Sequence, residues 1–118
     1  MKNFEIVFIK LENGRCPVEE YLDSTDKKMR AKILRTIQLL RINGNTLGMP
    51  YSEYLKDEIF ELRVKQGSNI SRVLYFFFSG RKIILTHGFN KKTNKVPEYE
   101  INLAKKYREF YLKHRKGE

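Results

Sequence analysis

Six basic side chains, Arg63, Arg72, His87, Lys91, Lys92 and Lys95, punctuate the second half of the chain, among and just after three apolar runs. In IFELRVK (59–65), Arg63 lies between Leu62 and Val64; in ISRVLYFFF (70–78), Arg72 lies between Ser71 and Val73. A strand alternates its faces, so Arg72 shares one with Leu74 and Phe76. A charge among such neighbours must be paired or must open onto a cleft. If the runs are neighbouring strands, Arg63, Arg72 and the stretch from His87 to Lys92 converge on one sheet face. Guanidinium groups there would bind the non-bridging oxygens of an RNA phosphodiester bidentately and stabilise the charge of a phosphorane. A His or a Lys would move a proton. An unperturbed Lys, with a pKa of about 10.4, is mostly protonated at pH 7 and serves better as a charge stabiliser than as a base. The general base stays open.

Plainer readings stand beside these. A lone Arg in a strand, such as Arg63, is more often an exposed cross-strand partner, or one half of an ion pair with a Glu such as Glu61. A lone His such as His87 is commonly a satisfied structural residue. The KKTNK run (91–95) also reads as a solvated loop, and Cys16 as an incidental thiol. Tyr75 to Phe78 read as core, because nothing in the pattern leaves consecutive aromatics exposed.

The whole composition fits a polyanionic partner. Lys and Arg number 24 against 14 Asp and Glu, a net charge of 24 − 14 = +10. Such a field attracts RNA, DNA, an acidic protein or an anionic membrane. With 118 residues, 41% hydrophobic and 13% aromatic, the chain reads as a single domain over 1–118 with a real core. One cysteine excludes an intrachain disulfide and a thiolate cluster, and two His argue against a structural zinc. No Gly-rich phosphate loop, HExxH, CxxC or GxSxG is present, so neither a metal nor a cofactor is expected. No apolar run approaches the roughly 20 residues of a membrane span. The opening Met-Lys-Asn-Phe-Glu does not read as a signal peptide, and a cytoplasmic location is expected.

The elements that must position the basic residues follow from periodicity. FEIVFIKL (4–11) reads as a strand buried on both faces, followed by an Asn13-Gly14 turn. Pro17 opens a short helix to Leu22. Ser24, Thr25 and Asp26 offer N-caps to a long helix with its stripe at Met29, Ile33, Ile37 and Leu40; Gly44 ends it. Gly48 and Pro50 mark a loop. Phe60, Leu62 and Val64 share one face of the next strand, with Glu61, Arg63 and Lys65 on the other. Ser79-Gly80 fits a tight hairpin. In the third run, Ile83, Leu85, His87 and Phe89 are placed on one face. Pro97 opens the last helix, with an inner stripe of Leu103, Ala104, Tyr107, Phe110 and Tyr111, and Lys113 to Glu118 read as a charged tail. This order predicts an α+β domain. An N-terminal strand and a meander of three strands form a small antiparallel sheet, with the helices packed on one side and the other face partly open.

EIFELRV (58–64), SRVLYFF (71–77) and HGFNKKTNKVP (87–97), in that order, resemble the HigB-like branch of the RelE/ParE toxin superfamily. The resemblance implies a RelE-like, microbial-RNase-like fold and the toxin of a type II toxin–antitoxin module. It implies a ribosome-dependent endoribonuclease that cuts mRNA in the ribosomal A site. The ribose 2′-hydroxyl attacks the adjacent phosphate, leaving 2′,3′-cyclic phosphate and 5′-hydroxyl ends. By the same resemblance, Arg72 stabilises the transition state, Arg63 binds phosphate, and Lys92 sits near the scissile phosphate or the leaving group. His87 matches a histidine used directly by only some members. Lys91, Lys95, Lys65 and Tyr99 would bind RNA. The chain departs from the family in carrying Ile59 and Glu61 where RelE-type members often have lysines. The implied partners are the 70S ribosome with its mRNA and a HigA-like helix-turn-helix antitoxin. Two alternatives are a ParE-like toxin acting on DNA gyrase and a non-catalytic basic nucleic-acid-binding module.

Overall fold

The structure is a computed structural model that describes residues 3–91 and 94–115. Five strands form one sheet: β1 (Glu5–Phe8), β2 (Ser52–Lys56), β3 (Ile59–Gln66), β4 (Asn69–Phe78) and β5 (Lys82–Asn90). Their spatial order is β1-β5-β4-β3-β2; β1 runs parallel to β5 and every other pair is antiparallel. Three helices accompany them: α1 (Pro17–Ser24), α2 (Lys27–Asn43) and α3 (Glu98–His114). The α+β class, the N-terminal strand and the meander β3–β4–β5 are as expected, but the sheet is mixed and not wholly antiparallel, because the long connection through α1, α2 and the meander returns β5 beside β1 in the same direction. The meander gains an extra edge strand, β2, directly after the anticipated Gly48–Pro50 loop.

Local chemistry sets the boundaries. The Asp26 side chain accepts a hydrogen bond from the Met29 N–H at 2.8 Å, capping α2. Ser79 and Gly80 both take positive φ, as a tight hairpin between β4 and β5 requires. The expected charged tail starts as helix, because α3 continues to His114. Among the described residues no helix is long and apolar enough to cross a membrane.

The helices do not all lie on one side. Leu62, Val64, Val73, Tyr75, Ile83 and Leu85 face α1 and α2, packing on Val18, Leu22, Met29, Ile33, Ile37 and Leu40. Ile59, Leu74, Phe76 and Ile84 face the opposite way and are covered by Ile101 and Ala104 of α3. The expectation of one-sided packing thus holds for α1 and α2, while α3 closes the other face. The cause is the apolar character of the strands themselves. VLYFFF of β4 presents large side chains to both faces, and both must leave water.

A register shift between β4 and β5 decides where the site falls. Leu74 pairs with His87 but Tyr75 pairs with Leu85, so Thr86 is the extra residue of a bulge. Before the bulge, Ile83 and Leu85 point toward α1 and α2. After it, His87 and Phe89 point toward α3, the face of Arg72. The expected single face for Ile83, Leu85, His87 and Phe89 is therefore split in two. Gly88 falls on the α1 side, where a Cβ would lie 2.5 Å from the Tyr21 ring.

The end of α2 is locked by a similar close approach. Gly44 has a φ of +53°, and a Cβ there would lie 2.1 Å from the Phe4 ring. Phe4 cannot easily retreat: its N–H donates to the Arg41 carbonyl at 2.8 Å and Arg81 stacks over its ring. Gly44→Ala is expected to cost about 2–3 kcal/mol through clash and backbone strain together. Thermal unfolding should show a Tm lower by roughly 10 °C. An unchanged Tm would mean that Phe4 repacks freely.

Candidate functional site

Three rows of side chains cross the α3 face of the sheet. The outermost runs from Lys65 through its partner Ile70, whose carbonyl accepts from the Lys91 N–H at 3.2 Å. The next runs Arg63–Arg72–Phe89, each opposite its neighbour in register. The third runs Glu53–Glu61–Leu74–His87. Alternation along β3 and β4 and the bulge in β5 together bring Arg63, Arg72 and His87 onto one face. Lys65 and Lys91 flank them at the same end of the sheet. Lys92 lies outside the described residues.

The arginines differ in what they offer. Arg72 is fully buried, and its Nε lies 3.0 Å from Oε1 of Glu61, itself 1% exposed. Arg63 is 24% exposed, lies 3.8 Å from the same oxygen, and donates from Nη2 to the Asn94 carbonyl at 3.3 Å. One carboxylate thus serves two guanidinium groups. Burial pushes the Glu61 carboxyl above its ordinary value, against the pull of Arg72 and then Arg63. Burial also pulls Arg72 down, against Glu61.

His87 is held at both ring nitrogens. Nε2 lies 2.9 Å from Oε1 of Glu100 in α3, and Nδ1 lies 3.1 Å from Oγ1 of Thr86. The ring stacks on Phe89 and meets Tyr107 edge-on. Burial lowers its pKa although Glu100 opposes this. The imidazole therefore links β5 to α3 under the cover of that helix.

Of the remaining expected residues, Lys91 and Tyr99 come together: Lys91 Nζ sits 5.5 Å from the centroid of the exposed Tyr99 ring. Tyr99 raises the Lys91 pKa, which makes this lysine a fixed positive charge and no base. Lys95 and Lys65 are exposed. Among the described residues no cluster of three or more His, Cys, Asp or Glu is placed to hold a metal ion.

The sequence pattern undervalued two carboxylates. Glu61 figured only as an ion-pair partner, although its two-residue spacing from Arg63 already put both on one face. For Glu100 the available signal was its place one turn before Ala104, which set it on the buried stripe of α3.

A small basic α+β chain with this sheet order is compatible with a RelE-like fold. The chain belongs to the family described as "Phage derived protein Gp49-like (DUF891)", which matches residues 20–109, and this is a RelE/toxin-like family of toxin–antitoxin systems. Membership implies a cognate antitoxin as partner. No curated protein matches the chain.

Two measurements probe the energetics. Glu61→Leu or Arg72→Met alone leaves a buried charge without its partner and is expected to cost about 3–5 kcal/mol. The double variant should be more stable than either single one. Urea denaturation checks this, and simply additive losses would show that the two side chains are not coupled. For His87, a folded pKa below the unfolded value means that the unfolded chain binds the extra proton. Its contribution is complete above about pH 6.5 and is lost as pH falls through the depressed value. The urea midpoint should therefore drop between pH 7 and pH 5, and His87→Gln should flatten that slope.

Proposed function

We propose that the chain is the toxin of a type II toxin–antitoxin module and acts as a ribosome-dependent mRNA endonuclease. The observation that carries this reading is the register pair Arg63–Arg72 with Glu61 beside it, on a sheet face flanked by Lys65, Lys91 and Tyr99. Two guanidinium groups on one sheet face, held by a carboxylate between them, suit stabilisation of the charge of in-line attack within RNA. Arg63, the more exposed arginine, takes a non-bridging oxygen of the scissile phosphate. Arg72 supplies a fixed positive field from below and holds Glu61. The P–O2′ bond forms and the P–O5′ bond breaks. The 2′-hydroxyl gives its proton to a water held in the ribosome-bound complex, because Glu61 is sealed under α3, and the leaving O5′ takes up a proton from solvent. The products are a 2′,3′-cyclic phosphate and a 5′-hydroxyl end.

The covered state of Arg72, Glu61 and His87 supports dependence on a larger assembly. The free chain presents Arg63, Lys65 and Lys91 to a phosphate and keeps its carboxylate under α3. Positioning of mRNA by the ribosome would supply what the isolated site lacks, and positioning is worth roughly 7–11 kcal/mol. A HigA-like antitoxin is the partner this reading calls for, and an acidic segment on it would suit the +10 charge.

Pulse expression in bacteria with mapping of new 5′-hydroxyl RNA ends tests the reading. Cuts within translated mRNA are expected, and Arg63→Ala should reduce them on the order of 100-fold without loss of the folded protein. Growth arrest with no new ends would overturn it in favour of another target.

A further inference from the structure

A cleft of about 500 Å³ opens beside Arg63, where α2 meets β3 and the turn before β2. Lys32, Thr36, Pro50, Tyr51, Arg63 and Lys65 line it together with Val64. No acidic residue lines it, and among the described residues neither Lys32 nor Lys65 has a carboxylate partner. Tyr51 is 41% exposed, so its ring is open to a ligand. Its main chain is tied to β3: the Arg63 N–H donates to the Tyr51 carbonyl at 2.8 Å, which extends the β2–β3 ladder and sets Tyr51 opposite Arg63. Lys32 is anchored too, since its Nζ donates to the Lys65 carbonyl at 2.6 Å. An ammonium group has three donors, so two remain for a ligand.

An exposed aromatic ring, the neighbouring Arg63 and two lysines among the lining residues match one nucleotide of a single strand. The base stacks on the aromatic face and the flanking phosphates meet the cations. We infer that this cleft is a nucleobase subsite, in which Tyr51 stacks on a base of single-stranded RNA while Arg63, Lys32 and Lys65 hold its phosphates. The inference rests on the endonuclease reading for its biological substrate: the base held here neighbours the phosphate bound at Arg63. It adds Tyr51 and Lys32, on elements outside the β3–β5 face, as positioning residues. Stacking does not discriminate strongly between a purine and a pyrimidine.

Fluorescence anisotropy with a labelled RNA hexamer, a hexamer carrying abasic sites and a hexaglutamate peptide tests this on the full chain. Tyr51→Ala should weaken RNA binding about tenfold and leave the abasic strand unaffected, whereas Tyr51→Phe should bind as the unaltered chain does. Lys32→Ala should weaken both strands and reduce the salt slope by about one. Equal affinity of Tyr51→Ala and the unaltered chain for RNA overturns the subsite. So does a loss of the same size on the abasic strand, or the same Tyr51 dependence with hexaglutamate, which would mark a protein-docking groove. The two readings fail separately. Unchanged binding by Tyr51→Ala, with mRNA still cut in cells, removes the subsite and leaves the endonuclease. Base-dependent binding through Tyr51, with no cuts in cells, keeps the subsite and removes the endonuclease.

Discussion

The contact between Arg72 and Glu61 is the constraint around which one half of this molecule is arranged. A guanidinium cannot be sealed in an apolar layer without a counter-charge, and Glu61 is the carboxylate within reach. That pairing requires β3 and β4 to hold a fixed register. It also requires a dry cover, which α3 provides through Ile101 and Ala104 beside the pair's apolar neighbours Leu74 and Phe76. Glu100 then faces His87, so a second charge-bearing contact follows from the placement of the same helix. The layer toward α1 and α2 has no such requirement and is filled by aliphatic and aromatic side chains.

The two layers were not equally legible in the sequence. The α2 stripe, its Asp26 cap and the Ser79-Gly80 hairpin are local signals, and local signals survive folding. β2 was missed because SEYLK is polar and half of it faces solvent at the sheet edge. Its turn to β3 uses Asp57 and Glu58 at positive φ, a geometry that glycine usually announces. The placement of α3 could have been read from FEIVFIKL and VLYFFF, since strands apolar on both sides need two covers.

The site divides in the same way. Arg63 and Arg72 were placed on one face by alternation alone, and the register confirms that placement. His87 reached the same face for a reason alternation cannot supply. Only the extra residue at Thr86 turns it there, and nothing in LTHGF marks a bulge except the glycine that follows. The depth of Arg72 was equally invisible, because burial depends on a helix about thirty residues away in the chain.

Placing a charged pair inside the core also shapes how such a protein is disarmed. A change at Arg72 removes the cornerstone of the α3 layer, so the altered chain is prone to proteolysis and leaves its antitoxin without a folded partner. A change at Arg63 or Tyr51 sits at the rim and spares the scaffold. Change in the core thus removes the folded protein, whereas change at the rim leaves it standing.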